Sequence, residues 1–233
     1  MATFPGGYLE SPEDSCCRVC RMAPPPFQKA VAHGVYEGTL RSLIHALKYE
    51  RTTTVADALG MQLADAISTI APEAPQRMLV VPVPLHRSKR HSRGFNQSEL
   101  LAKAALRSLR RTHREWKLEI GTGTLMRSRA TESQFGLSTR QRRLNLRGVF
   151  SVPNPARLTG RDVLLVDDIY TTGATARACS NALLKAGANS VWVATLARAQ
   201  REGVALWDAS FGKTAGTVDR AGEPVSSIGS EVH

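Results

Sequence analysis

Two acids, Asp167-Asp168, stand two residues ahead of Thr171-Thr172-Gly173-Ala174-Thr175. A short, hydroxyl-rich turn that runs into a helix can hold a phosphate. The first N–H groups of a helix lack intrahelical partners, and the helix dipole adds partial positive charge there. The hydroxyls of Thr171, Thr172 and Thr175 can donate as well, and Gly173 lets the backbone come close. The turn holds no lysine, so it is not a G-x-x-x-x-G-K-[ST] phosphate loop. Two carboxylates beside a phosphate would repel it unless they meet hydroxyls or a metal ion. A phosphorylated sugar satisfies both halves, with its alcohols on the acids and its 5′-phosphate on the turn.

The elements that must position this pair are legible around it. Residues 163–166 (Val-Leu-Leu-Val) form an apolar run suited to a parallel strand buried on both faces, with the acids where it should end. After the turn, Cys179, Ala182, Leu183 and Ala186 fall on one helical face, and Gly187 follows as a C-cap. Upstream, residues 27–36 read as a strand. Leu40, Leu43, Ile44 and Leu47 mark one face of a helix. A second helix is expected over 54–70, with Thr54 and Asp57 as a capping pair. A buried strand over 78–83 leads into a basic loop, 84–97, holding Arg87, Lys89, Arg90 and Arg93. A helix starting at Ser98 follows, with Leu101, Ala104 and Ala105 inward. The chain therefore contains two strand–loop–helix units, one neutral and one cationic, and the cationic loop suits a polyanion such as pyrophosphate. Strands are also expected over 116–120 and 190–196. Residues 125–150 carry arginine at high density with little apolar periodicity, which reads as a mobile basic loop.

Composition bounds the class. The 233 residues are 42% hydrophobic, enough for one domain with a real core plus appendages. No apolar run approaches membrane-spanning length, and the first ten residues lack the features of a secretory signal, so the expected location is the cytoplasm and no membrane insertion is expected. The net charge is +11, and the stretch from His86 to Arg147 alone holds 16 Lys/Arg against 4 Asp/Glu. A basic middle beside a phosphate site implies polyanionic substrates, nucleic acid, or both. Cys17 and Cys20 form one C-x-x-C pair, half of a tetrahedral zinc site, so an incomplete site is the favoured reading. Cys179 reads as a small core residue. Residues 1–26 are taken as a disordered N-terminus with that Cys segment, 27–198 as the folded domain and 199–233 as a disordered tail.

The thirteen residues 163–175 resemble the phosphoribosyl-pyrophosphate (PRPP) motif of type I phosphoribosyltransferases. Further segments are similar to the ComF/GntX family: Cys17-x-x-Cys20 before a triple proline, residues 43–49 (Leu-Ile-His-Ala-Leu-Lys-Tyr), residues 81–86 (Val-Pro-Val-Pro-Leu-His), Arg93-Gly94-Phe95-Asn96-Gln97, and Gln134 with Leu137-Ser138 through Arg142 to Asn145. The resemblance covers about residues 17–198. It implies a type I phosphoribosyltransferase fold: a mostly parallel sheet flanked by helices, with a partial zinc-finger-like segment at the N-terminus. Members usually begin with two C-x-x-C pairs, and the first is absent here. By the same resemblance Asp167 and Asp168 would bind the ribose 2′- and 3′-hydroxyls with Mg²⁺ nearby, and residues 171–175 would hold the 5′-phosphate. Arg87, Lys89, Arg90 and Arg93 would meet the pyrophosphate. Residues 127–147, with Arg127, Arg129, Gln134 and Arg142, would close over the site.

The expected function is phosphoribosyl transfer from PRPP with Mg²⁺, linked to DNA uptake or nucleotide salvage, with the acceptor unspecified. The alternative is a non-enzymatic single-stranded-DNA-binding protein, or an accessory to a DNA-uptake motor, whose PRPP site is a sensor or a relic. A PRPP-responsive regulator is a third possibility. The low aromatic content, 6%, weighs against a base-stacking platform.

Overall fold

The computed structural model describes residues 2–3, 23–49, 54–128, 146 and 148–199. Six strands form one parallel sheet: β1 (Ala2–Thr3), β2 (Ala30–Val35), β3 (Arg77–Pro82), β4 (Lys117–Ile120), β7 (Asp162–Tyr170) and β8 (Ser190–Arg198), in the order β1-β2-β8-β7-β3-β4. Every pairing in it is parallel. Parallel neighbours need crossovers, and the helices that make them cover both faces. These are α1 (Gly38–Tyr49), α2 (Val55–Ser68), α3 (Arg87–Arg93), α4 (Gln97–Thr112) and α5 (Ala174–Lys185). A small antiparallel pair, β5 (Met126–Arg127) with β6 (Phe150–Ser151), lies apart from the main sheet.

Side chains of a strand alternate between faces, so each central strand feeds two cores. Leu164 and Val166 pack with Ile44, Leu59, Leu63 and Leu101 on one side. Val163 and Leu165 pack with Cys179, Leu183 and Phe150 on the other. This is why residues 163–166 are apolar without alternation. Cys179 is fully buried, as its place on the helix face predicted. On the first face α2 and α4 pack so closely that a Cβ at Gly60 would collide with Ala104.

Several boundaries differ from the sequence reading. β7 continues through both acids to Tyr170, because pairing with β8 runs on to Tyr170 opposite Arg198. Thr54 makes no side-chain cap on α2, and Asp57 pairs instead with Arg107 of α4. The stretch 84–97 is not wholly a loop. Its centre forms α3, started by His86, whose Nδ1 accepts from the Ser88 N–H at 3.3 Å, and ended by Gly94 at φ +81°. Ala2–Thr3, within the segment expected to be disordered, pair with Ala30 and Val31. Cys17, Cys20, Arg129, Gln134, Arg142 and the tail from residue 200 onward lie outside the described residues. Among the described residues no helix is long and apolar enough to cross a membrane.

Candidate active site

β3 and β7 are neighbours, with Pro82 in register with Val166. Their crossovers therefore leave the same, C-terminal edge of the sheet, where open parallel sheets place their ligands. That edge brings together the acids, the threonine turn and the basic helix.

The turn is shaped for an anion. Gly173 has φ +73° and precedes α5, and no side chain caps the helix. The first helical hydrogen bond runs from the Arg177 N–H to the Gly173 carbonyl at 2.9 Å. The Thr172 Oγ1 is buried with no hydrogen-bond partner, which is costly unless a ligand supplies one. Thr171, Gly173 and Thr175 line a pocket with Asp167, Ile169, Tyr170 and Thr195. Ala174 is buried behind it. The Tyr170 ring lies across the turn, and a Cβ at position 173 would collide with its hydroxyl.

The acids do not sit side by side. Because β7 extends through them, strand alternation parts the two side chains. Asp167 lines the pocket, and its Oδ1 accepts from the Ser98 hydroxyl at 3.1 Å and from the Asp168 N–H at 2.9 Å. Burial, followed by the charge of Asp168, raises the Asp167 pKa to about 8, against the opposing effects of the Asp168 N–H, Lys48 and Ser98. Asp168 is only 6% exposed. Its Oδ2 lies 2.5 Å from the Lys48 Nζ and accepts from the Gln97 Nε2 at 3.4 Å. The expectation that both carboxylates face a sugar is thus met by the position of Asp167 and not by that of Asp168.

The start of α4 is built from one local sequence. Asn96 caps it, accepting from the Ser98 N–H at 3.1 Å and donating to the Val83 carbonyl at 3.0 Å. Gln97 accepts from Arg93 at 2.9 Å. Arg87, Lys89 and Arg90 stand exposed on α3 at this edge, and Arg93 is half-buried with its guanidinium 5.1 Å from the Tyr49 ring. Arg127, expected in a mobile loop, belongs to β5. It lies over Phe150, and Asp167 and Cys179 are close enough to act on its charge. Burial lowers the Arg127 pKa and pushes that of Cys179 well up. The roles of Lys48, Asn96, Gln97 and Ser98 were not visible in the residues alone. A lysine beside Leu47 on a helix, and amides after a basic run, were the only signals.

Comparison with known proteins agrees with this geometry. The family described as "Phosphoribosyl transferase domain" matches residues 96–225. DNA utilization protein YhgH of Escherichia coli strain K12 is 38% identical over 186 residues, covering 78% of this chain and 77% of that protein. Competence protein F of Haemophilus influenzae is 32% identical over 188 residues, covering 78% of each. Competence protein ComFC of Bacillus subtilis is 27% identical over 164 residues, covering 70% of this chain and 61% of its own. Among solved structures, a glutamine PRPP amidotransferase from B. subtilis is 22% identical, with a TM-score of 0.36, over 60% of this chain and 26% of that one. The chain belongs to the ComF family of phosphoribosyltransferase-like proteins.

Proposed function

We propose that this protein binds PRPP with Mg²⁺ at the C-terminal edge of β7 and β3 and transfers its phosphoribosyl group to a nitrogen nucleophile, in the service of DNA utilisation. One observation carries the reading: the uncapped turn at Gly173, with the orphaned Thr172 hydroxyl, opens into the same pocket as Asp167. The turn suits the 5′-phosphate, Asp167 the ribose alcohols, and the exposed cations of α3 the pyrophosphate. The names of the relatives, DNA utilization protein and competence protein F, support the cellular setting.

In the transfer, the bond from the anomeric carbon to pyrophosphate breaks and a carbon–nitrogen bond forms. The leaving group keeps the electron pair, and the nucleophile loses a proton. No covalent nucleophile is needed from the protein. Its residues orient the pentose and stabilise charge as it develops on the departing group. Among the described residues no group of three or more His, Cys, Asp and Glu could hold a metal by itself. One pocket-lining carboxylate, Asp167, fits Mg²⁺, which takes one or two carboxylates with the rest of its ligands from substrate phosphates and water. When bound, Mg²⁺ supplies charge neutralisation to the pyrophosphate. Calorimetric titration with PRPP and Mg²⁺ is the test. Binding that Asp167→Asn abolishes supports the proposal; absence of binding by the native protein overturns it.

A second reading, a non-enzymatic protein for single-stranded DNA, has one observation of its own. Arg77, Arg110, Arg111, Arg114 and Lys117 are exposed near the opposite edge of the sheet, where Arg77 and Lys117 are register partners. Oligonucleotide binding that weakens steeply with salt and persists in Asp167→Asn would favour it.

A further inference from the structure

Two segments that the PRPP pocket does not use, the end of α1 and the start of α4, meet at Asp168. Lys48 and Asp168 form the most buried ion pair among the described residues, with side chains 15% and 8% exposed. From Asp168 a chain of contacts runs on: Gln97 donates to the same Oδ2, its own carbonyl accepts from Arg93, and Arg93 stacks on Tyr49, the residue after Lys48. The circuit closes on itself. It ties β7 to the end of the basic helix α3 and to the C-terminus of α1. Asp167, one residue earlier, takes no part in it and lines the pocket instead.

We propose that Lys48 and Gln97 are positioning residues that hold Asp168 as a fixed internal anchor coupled to α3, and that Asp167 alone is the acid that touches the pentose. A carboxylate held at 2.5 Å by an ammonium and shared with an amide has its acceptor capacity directed into the protein. Releasing it to a sugar hydroxyl would leave the lysine charge buried and unpaired. The Gln97 link to Arg93 gives the anchor a second effect, since it fixes the end of the helix whose cations face the departing pyrophosphate. The proposal rests on the PRPP reading above.

The test is a double-variant cycle read by calorimetry with three probes, each with Mg²⁺: PRPP, ribose 5-phosphate and inorganic pyrophosphate. Lys48→Met alone strands a buried carboxylate and should weaken PRPP binding about 10-fold or more, whereas Lys48→Met with Asp168→Leu replaces the pair by apolar groups and should recover most of that loss. Lys48→Arg should rescue in part. Gln97→Leu, which cuts the link to Arg93, should weaken PRPP and pyrophosphate several-fold and leave ribose 5-phosphate unchanged; a merely structural role would weaken all three together. Asp167→Asn should lose ribose 5-phosphate. Thermal melting confirms that each variant is folded. If the double variant binds ribose 5-phosphate as poorly as Asp167→Asn does, Asp168 touches the sugar and the assignment falls, though the PRPP reading survives. If Gln97→Leu weakens all three probes equally, the coupling to α3 falls. A native protein that binds none of the probes overturns both the assignment and the reading it rests on.

Discussion

The two crossovers at the C-terminal edge are built to opposite plans. The β7–α5 turn is small, neutral and uncapped, with a left-handed glycine and a buried hydroxyl that has no partner. The β3–α3–α4 crossover is capped twice by side chains, His86 and Asn96, and its charge stands on exposed cations. A helix start closed by an asparagine has one of its donors already occupied. An open start keeps its donors for a ligand. The first crossover can therefore grip a phosphate through fixed backbone groups, while the second can meet a polyanion only through mobile side chains and long-range charge.

That contrast can be broken most severely at Gly173. Gly173→Val forces a β-branched residue into φ +73° against Tyr170, so PRPP binding should weaken by about 100-fold or more in calorimetry while far-UV circular dichroism stays native-like. Next come the two helix starts, which should respond in opposite ways. Asn96→Ala removes a cap and leaves the buried Val83 carbonyl short of a donor, and should lower unfolding free energy by about 2 kcal/mol in urea titration. Thr172→Val replaces a buried unpaired hydroxyl and should hold stability within about 0.5 kcal/mol or raise it, yet weaken ribose 5-phosphate binding. Equal destabilisation by both would erase the distinction between a spent and an unspent helix start. Lys89→Ala with Arg90→Ala should leave stability within about 0.5 kcal/mol, lower pyrophosphate affinity by about tenfold, and flatten its dependence on ionic strength, as exposed charges do. A loss that did not vary with salt would mean those cations act by packing.

The smallest effect concerns pH. Folded, Asp167 keeps its proton up to pH about 8. In the unfolded chain it releases that proton near pH about 4, so between these values the folded state binds more protons and stability falls as pH rises, levelling off above the window. Asp167→Asn should remove that slope from melting temperatures measured across pH 4 to 9. An unchanged slope would place the titration elsewhere.

Much of this was legible locally. An uninterrupted apolar run of four residues means a strand covered on both faces, and β7 is such a strand. The helix face led by Cys179 and the phosphate-type turn followed from residue types at fixed spacing. The basic loop was legible as charge, but its helix was not, because seven mostly polar residues carry no apolar period to reveal one. The capping pair at Thr54 and Asp57 matched a local pattern, and a tertiary partner, Arg107, took the acid instead.

The sequence by itself determined which residues could grip a phosphorylated pentose and that they follow a buried parallel strand, because both depend on neighbours within a few positions. Only the tertiary structure decided which acid faces the pocket. That depends on where pairing with β8 ends β7, and on Lys48 and Gln97, which reach Asp168 from distant parts of the chain. A carboxylate's surroundings are set by what packs against it, and residues far apart in the chain meet only once the sheet has formed.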